Sequence, residues 1–142
     1  MMSIKQISVF LENKPGTLNH MTRVLAEGGV DLRALSLAET SDYGIARIIV
    51  DDVMKATTIL KDADFVASLT PVLAYEIPNE PDGLNKLLMQ FTEAAINIEY
   101  MYSCIIAEKR EAYMIIRVSD VQAAEAALTD RMLKALSSDK IL

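Results

Sequence analysis

Few of these 142 residues could carry covalent chemistry: there is one cysteine, Cys104, one histidine, His20, and no tryptophan. A lone cysteine cannot close an internal disulfide, and with no histidine at ligand spacing it does not suggest a metal centre or an activated thiol. Cys104 sits in an apolar run and reads as a packed side chain. Helical geometry sets His20 away from the apolar stripe of its segment, so solvent exposure is expected rather than catalysis. Asp51-Asp52 and Ser119-Asp120 each precede a helical pattern and read as helix caps. No glycine-rich phosphate loop and no nucleophile–base–acid set is present. Catalytic residues, a metal and a cofactor are therefore not expected, and an enzyme is disfavoured.

Long apolar runs are missing too. No stretch approaches the 18 or more residues that cross a bilayer, and "MMSIKQISVF" lacks the charged and apolar regions of a secretory signal. Together with the single cysteine this leads to the expectation of a cytoplasmic protein with no membrane partner. Positive charge is in deficit: the formal net charge is −6, which repels phosphate backbones and argues against nucleic acid. What remains is an ordinary globular composition, 51% apolar and 24% charged.

The chain repeats itself. Asn13, Pro15, Leu18 and Asn19 of "FLENKPGTLNHM" return 66 positions later as Asn79, Pro81, Leu84 and Asn85 of "EIPNEPDGLNKL". The offset still holds between Asp31 and Asn97, then becomes 68 after a hairpin, where Val53 overlays Val121 and Leu60 overlays Leu128. Slippage at a turn is what a duplicated unit shows. Two domains of about 70 residues, 1–70 and 71–142, are expected.

Each half reads as βαββαβ. In the first, "IKQISVFL" puts Ile7, Val9 and Leu11 on one face of a strand. "PGTLNHMTRVLAEGG" is helical, with Leu18, Met21 and Leu25 on one side and Gly28-Gly29 as its stop. "VDLRALSLAET" and "IARIIVDD" form a hairpin across "SDYG". "DVMKATTILKDA" is a second helix and "FVASLT" a fourth strand. The second half follows with strand "VLAYEI", helix "GLNKLLMQFTEAA", strands "INIEYMYSCIIA" and "AYMIIRV" around "EKRE", and helix "DVQAAEAAL". "MLKALSSDKIL" is assigned as the closing strand, although a short helix also fits it. The fold class is α+β: two tandem ferredoxin-like units, each an antiparallel sheet with two helices on one face.

A strand-to-helix turn exposes the first amides of a helix, and those donors with the helix dipole favour a carboxylate. In "LENKPGTL", Pro15 sets the entry angle, Gly16 permits a backbone a Cβ would hinder, and Asn13 adds an amide that donates and accepts. The same turn elsewhere binds nothing, and Thr17 or Asp82 would then merely cap a helix.

"ISVFLENKPGTLNHMTRVLAEGGVDLRALSLAE" resembles the start of an ACT domain, a small ligand-binding module of regulators of amino-acid metabolism; the second half matches more loosely. The resemblance implies a stand-alone tandem ACT protein that binds an amino acid where the strand-to-helix loop of one domain faces the second strand of a neighbouring domain. By position it implicates Asn13, Pro15, Gly16, Thr17 and Leu18, with Asp31 opening the second strand. In the second half the matches are Asn79, Leu84 and Asn97, while Gly83, also in the candidate set, follows one place after the family's glycine position. Asp82 stands where the family has glycine, placing a negative charge where a ligand carboxylate would approach, unless it pairs with a ligand ammonium.

"IEYMYSCI" sets Tyr100, Tyr102 and Cys104 on one strand face, for packing or for a pocket wall. An RNA-binding module of the same topology is disfavoured, because "GIARIIV" and "AYMIIRV" lack its aromatic stacking pair. The expectation is a non-catalytic amino-acid sensor or regulator, joined edge to edge within the chain or as a homodimer. The alternative is a ligand-free regulatory subunit of an enzyme of amino-acid metabolism.

Overall fold

The computed structural model describes residues 4–39, 41–106 and 111–136. They divide into two units, one of residues 5–70 and one of residues 71–136 together with Ile4.

The first unit takes most of β1 (Ile4–Glu12), then α1 (Thr17–Glu27), β2 (Leu32–Glu39), β3 (Tyr43–Val50), α2 (Val53–Asp62) and the opening of β4 (Val66–Glu76). β3 lies between β2 and β1, antiparallel to both, and β4 follows beside β1, where Ser8 Oγ and Thr70 Oγ1 are 3.1 Å apart. Alternation along β1 turns Ile7, Val9 and Leu11 to one face, where they meet Ala46, Ile48 and Val50 of β3. Met21 and Leu25 of α1 and Ala56 and Leu60 of α2 close over the same face. Each valine, leucine, isoleucine or methionine among them contributes about 1.5–3 kcal/mol by leaving water. The expected arrangement of two helices on one side of the sheet is therefore present.

The second unit uses the remainder of β4, α3 (Gly83–Glu93), β5 (Tyr100–Ile106), β6 (Glu111–Arg117) and α4 (Val121–Leu128). β6 pairs antiparallel with β4 and β5. Leu73 and Tyr75 pack with Leu87, Phe91, Met114, Ile116 and Leu128.

The repeat reaches into backbone geometry. Asp52 and Asp120, 68 positions apart, take φ/ψ of −130/95° and −129/95° and each caps a helix through its carboxylate, on Lys55 N and Ala123 N. Asp64 and Met132, again 68 apart, are both left-handed, with φ of 67° and 59°.

Several boundaries differ from the sequence reading. "FVASLT" and "VLAYEI" are one continuous strand, β4, because Pro71 favours extended backbone at Thr70 and its own fixed φ suits a strand that does not need its N–H. β5 begins at Tyr100 rather than Ile96, since the Ile96 amide is engaged at 2.9 Å by Phe91 O at the end of α3. In "SDYG", Tyr43 and Gly44 already belong to β3. Of "MLKALSSDKIL", the described part forms neither strand nor helix: Ala135 makes an isolated bridge to Tyr75, with Glu76 N bonded to Lys134 O and Leu136 N to Ala74 O. Residues 137–142, most of the "EKRE" turn and Thr40 lie outside the described residues.

Candidate functional site

The first strand-to-helix turn is built around Asn13. Its backbone amide donates to Asp42 O at 3.0 Å, and its Nδ2 donates to Glu39 Oε2 at 3.0 Å and Ser41 O at 3.3 Å. The end of β1 is thereby tied to the hairpin between β2 and β3. Lys14 Nζ pairs with Glu12 Oε2 at 3.2 Å. Gly16 is left-handed, with φ 88° and ψ −13°, and occupies the position before α1 with no side-chain cap. Thr17 does not cap either; its hydroxyl turns back to donate to Lys14 O at 3.1 Å. A Cβ at Gly16 would meet nothing within 4 Å, so it is the left-handed backbone, and not crowding by neighbouring atoms, that calls for glycine here.

Beside this turn lies a hollow of about 340 Å³, in the range of small-molecule sites. Asn13, Thr17 and Glu39 bring polar groups to it, and Leu18 and Leu37 supply apolar wall. The first intrahelical bond of α1 is His20 N to Gly16 O, 2.9 Å, so the Leu18 and Asn19 amides lie in the helix-opening turn, where the dipole is positive. Pro15 and Gly16 shape the turn without lining the hollow. Glu39 and Leu37 were not foreseen: nothing in "SLAET" marks them, and only the register of β2 brings them to Asn13.

Asp31 is elsewhere. Leu32 pairs with Val50 at one end of β3 and Glu12 with Tyr43 at the other, which separates Asp31 from the turn by about 23 Å along its own sheet at a rise of about 3.3 Å per residue. It pairs with Arg33 Nη1 at 2.9 Å, and its amide donates to Asp51 Oδ1 at 3.0 Å.

The second turn is made differently. Asp82 precedes α3 at φ −100° and ψ 18°, outside the left-handed region, and makes no side-chain cap. Its carboxylate lies 3.7 Å from Lys86 Nζ, which also meets Glu80 Oε1 at 2.8 Å. The Glu80 hydrogen bond first, then the charge of Asp82, hold the Lys86 ammonium above its usual pKa. Gly83 is buried because the chain folds back on it, and a Cβ there would stand 2.0 Å from Pro78 O. Asn79 and Leu84 are exposed on the same turn, whereas Asn97 precedes β5 at the opposite end of its sheet.

His20 is half-buried rather than on an open face. Its ring lies 5.2 Å from that of Phe65, and Nδ1 accepts from Arg23 Nη2 at 2.9 Å. Among the described residues no cluster of three or more histidine, cysteine or acidic side chains could hold a metal ion, and no helix is long and apolar enough to cross a membrane.

Two α+β units in tandem, each with its helices packed on an antiparallel sheet, define a tandem ferredoxin-like fold. The chain belongs to the ACT domain pair family, whose description matches residues 2–141. It is similar to the solved structure of protein BT0572 from Bacteroides thetaiotaomicron, with 38% identity, a TM-score of 0.90, and coverage of 99% of this chain and 96% of that one. It shares its fold with the ligand-free regulatory subunit of aspartate kinase from Thermus thermophilus, at 18% identity, TM-score 0.65 and 90% coverage of each chain. The corresponding subunit from Thermus flavus gives 18% identity and a TM-score of 0.61, over 91% and 90% of the two chains. No curated protein matches the chain.

Proposed function

We propose that this ACT domain pair is a non-catalytic regulatory protein that binds a small amino acid in the hollow beside the first Pro-Gly turn. The observation that carries the reading is the meeting, in one hollow of about 340 Å³, of Asn13, Thr17 and Glu39 with Leu18 and Leu37 at the opening of α1. Amides at a helix N-terminus suit the ligand carboxylate. Glu39 offers an acceptor for the ammonium, and the two leucines suit a short apolar side chain. Asp31, by its distance along the sheet, would join such a site only from another domain. The second turn, with Asn79, Asp82, Gly83 and Leu84, is the weaker site, because Asp82 repels a carboxylate and already faces Lys86. A regulatory subunit of an enzyme with no ligand of its own is the competing reading.

An amino acid of about ten heavy atoms, gaining roughly 0.5 kcal/mol from each, binds near 100 μM. At about 100 times that concentration it stabilises the fold by roughly 2.7 kcal/mol, a shift that a thermal melt with each of the twenty amino acids resolves. Asn13→Ala is expected to weaken binding by about 0.5–1.5 kcal/mol. Gly16→Val should weaken it further by straining the left-handed turn. Circular dichroism first establishes that both variants fold. If no amino acid shifts the melt at millimolar concentration, the ligand-free subunit reading replaces this one; if one does and both variants bind as wild type, the site is elsewhere.

A further inference from the structure

On the other side of the same turn is a larger hollow, about 560 Å³, that the amino-acid reading leaves unused. Two ring pairs form its walls. Phe10 and Tyr43 meet edge to face with centroids 6.1 Å apart and planes at 70°, and His20 and Phe65 lie 5.2 Å apart with planes at 38°. Phe10 and Tyr43 keep 53% and 54% of their surface exposed, although aromatic rings are among the side chains that gain most from burial.

The polar groups at this hollow have defined states. A guanidinium can only donate, so Arg23 Nη2 at 2.9 Å makes His20 Nδ1 the acceptor, and the neutral ring carries its proton on Nε2. The donor His20 can offer a ligand is therefore an N–H. Lys14 is already paired with Glu12, and Asp64, also at the rim, makes no ion pair among the described residues. Phe65 is held in place from behind: its amide donates to Leu60 O at 2.9 Å, and the left-handed Asp64, φ 67°, turns the chain into it.

We propose that this hollow is a second binding site, for an uncharged planar heteroaromatic molecule that carries a hydrogen-bond acceptor. The ring would lie against the aromatic side chains that line the hollow, where stacked and edge-on contacts are both available. The acceptor would take the His20 N–H. An anionic substituent would meet Asp64 and bind less well. The site stands on its aromatic lining and not on the amino-acid reading, although Leu11, Glu12, Lys14 and Thr17 line both hollows.

Quinoline, neutral at pH 7, is a suitable probe, titrated into the full chain and followed by ¹H–¹⁵N NMR. Saturable shifts clustered at Phe10, His20, Tyr43 and Phe65 are expected, with a dissociation constant of about 0.1–1 mM for a ligand of roughly ten heavy atoms. Quinoline-2-carboxylate should bind several-fold more weakly. Phe10→Ala and Tyr43→Ser, at positions exposed enough to leave the core intact, should each weaken quinoline binding about tenfold. Phe65→Ala should do the same once its fold is verified. The proposal fails if quinoline gives no saturable shift, if the exposed-ring variants bind it as wild type, or if the carboxylate binds as tightly. It fails equally if Phe10→Ala leaves quinoline binding unchanged but alters the sedimentation coefficient, which would make the hollow a contact between copies of the chain.

Discussion

The two strand-to-helix turns occupy equivalent places in the repeat and solve the same problem by different means. At the first, Gly16 turns the chain through a left-handed backbone into open space, and the end of β1 is fastened sideways by Asn13 to Glu39 and Ser41. At the second, Asp82 stays out of the left-handed region, and the tightness moves one residue on, to Gly83 against Pro78 O. The first turn borders a hollow at the helix opening; the second sets Gly83 against its own backbone and carries the exposed Glu80–Lys86–Asp82 cluster. Both copies begin a helix at the equivalent place, and they differ in how the turn before it is closed.

The largest expected effect separates the two glycines. Gly83→Ala places a Cβ 2.0 Å from a backbone oxygen that cannot move without displacing the turn, so it should cost about 2–3 kcal/mol in urea unfolding. Gly16→Ala has room and suffers only the left-handed backbone, about 1 kcal/mol. Equal losses would show that the two turns are interchangeable and would dissolve the comparison.

The helix caps test where the halves are the same. Asp52 and Asp120 accept from Lys55 N at 3.1 Å and Ala123 N at 3.0 Å, from exposed positions with matching backbone. Asp52→Ala and Asp120→Ala should each cost about 1 kcal/mol. A difference beyond about 0.5 kcal/mol would mean that the halves diverge at the caps as well.

The smallest effect lies at the far ends of α1 and α3. Gly29, φ 77°, closes α1, and Ala95, φ 58°, closes α3, 66 positions on in the repeat. Relief of the Cβ penalty, set against the greater freedom of the unfolded chain, leaves a gain of about 0.5 kcal/mol for Ala95→Gly and a similar loss for Gly29→Ala. Opposite signs in paired thermal melts are the expected result; a destabilised Ala95→Gly would contradict it.

Much of the fold could be read from neighbouring residues. The stripes Ile7, Val9, Leu11 and Met21, Leu25 all face the first core, and both aspartate caps stand where the pattern put them, because period and capping are local properties of the chain. The turn at Asn13 was marked for the same reason. Glu39 and Leu37 were invisible: they reach the turn through the register of β2 on β3, which no local signal encodes. His20 was misread because its half-buried position comes from Phe65, 45 residues away in sequence.

The sequence by itself determined the order of strands and helices in both halves up to the last segment, the helix faces, the caps and the place of the helix-opening turns, since each follows from residues within a few positions of one another. Tertiary structure alone decided that Asp31 stands at the opposite end of its sheet from Asn13, that Gly83 is required by the fold-back of Pro78 and not by its own φ, and that two aromatic pairs line one hollow. Those outcomes depend on strand register and on contacts between distant segments, and these are fixed only when the whole apolar face is buried at once.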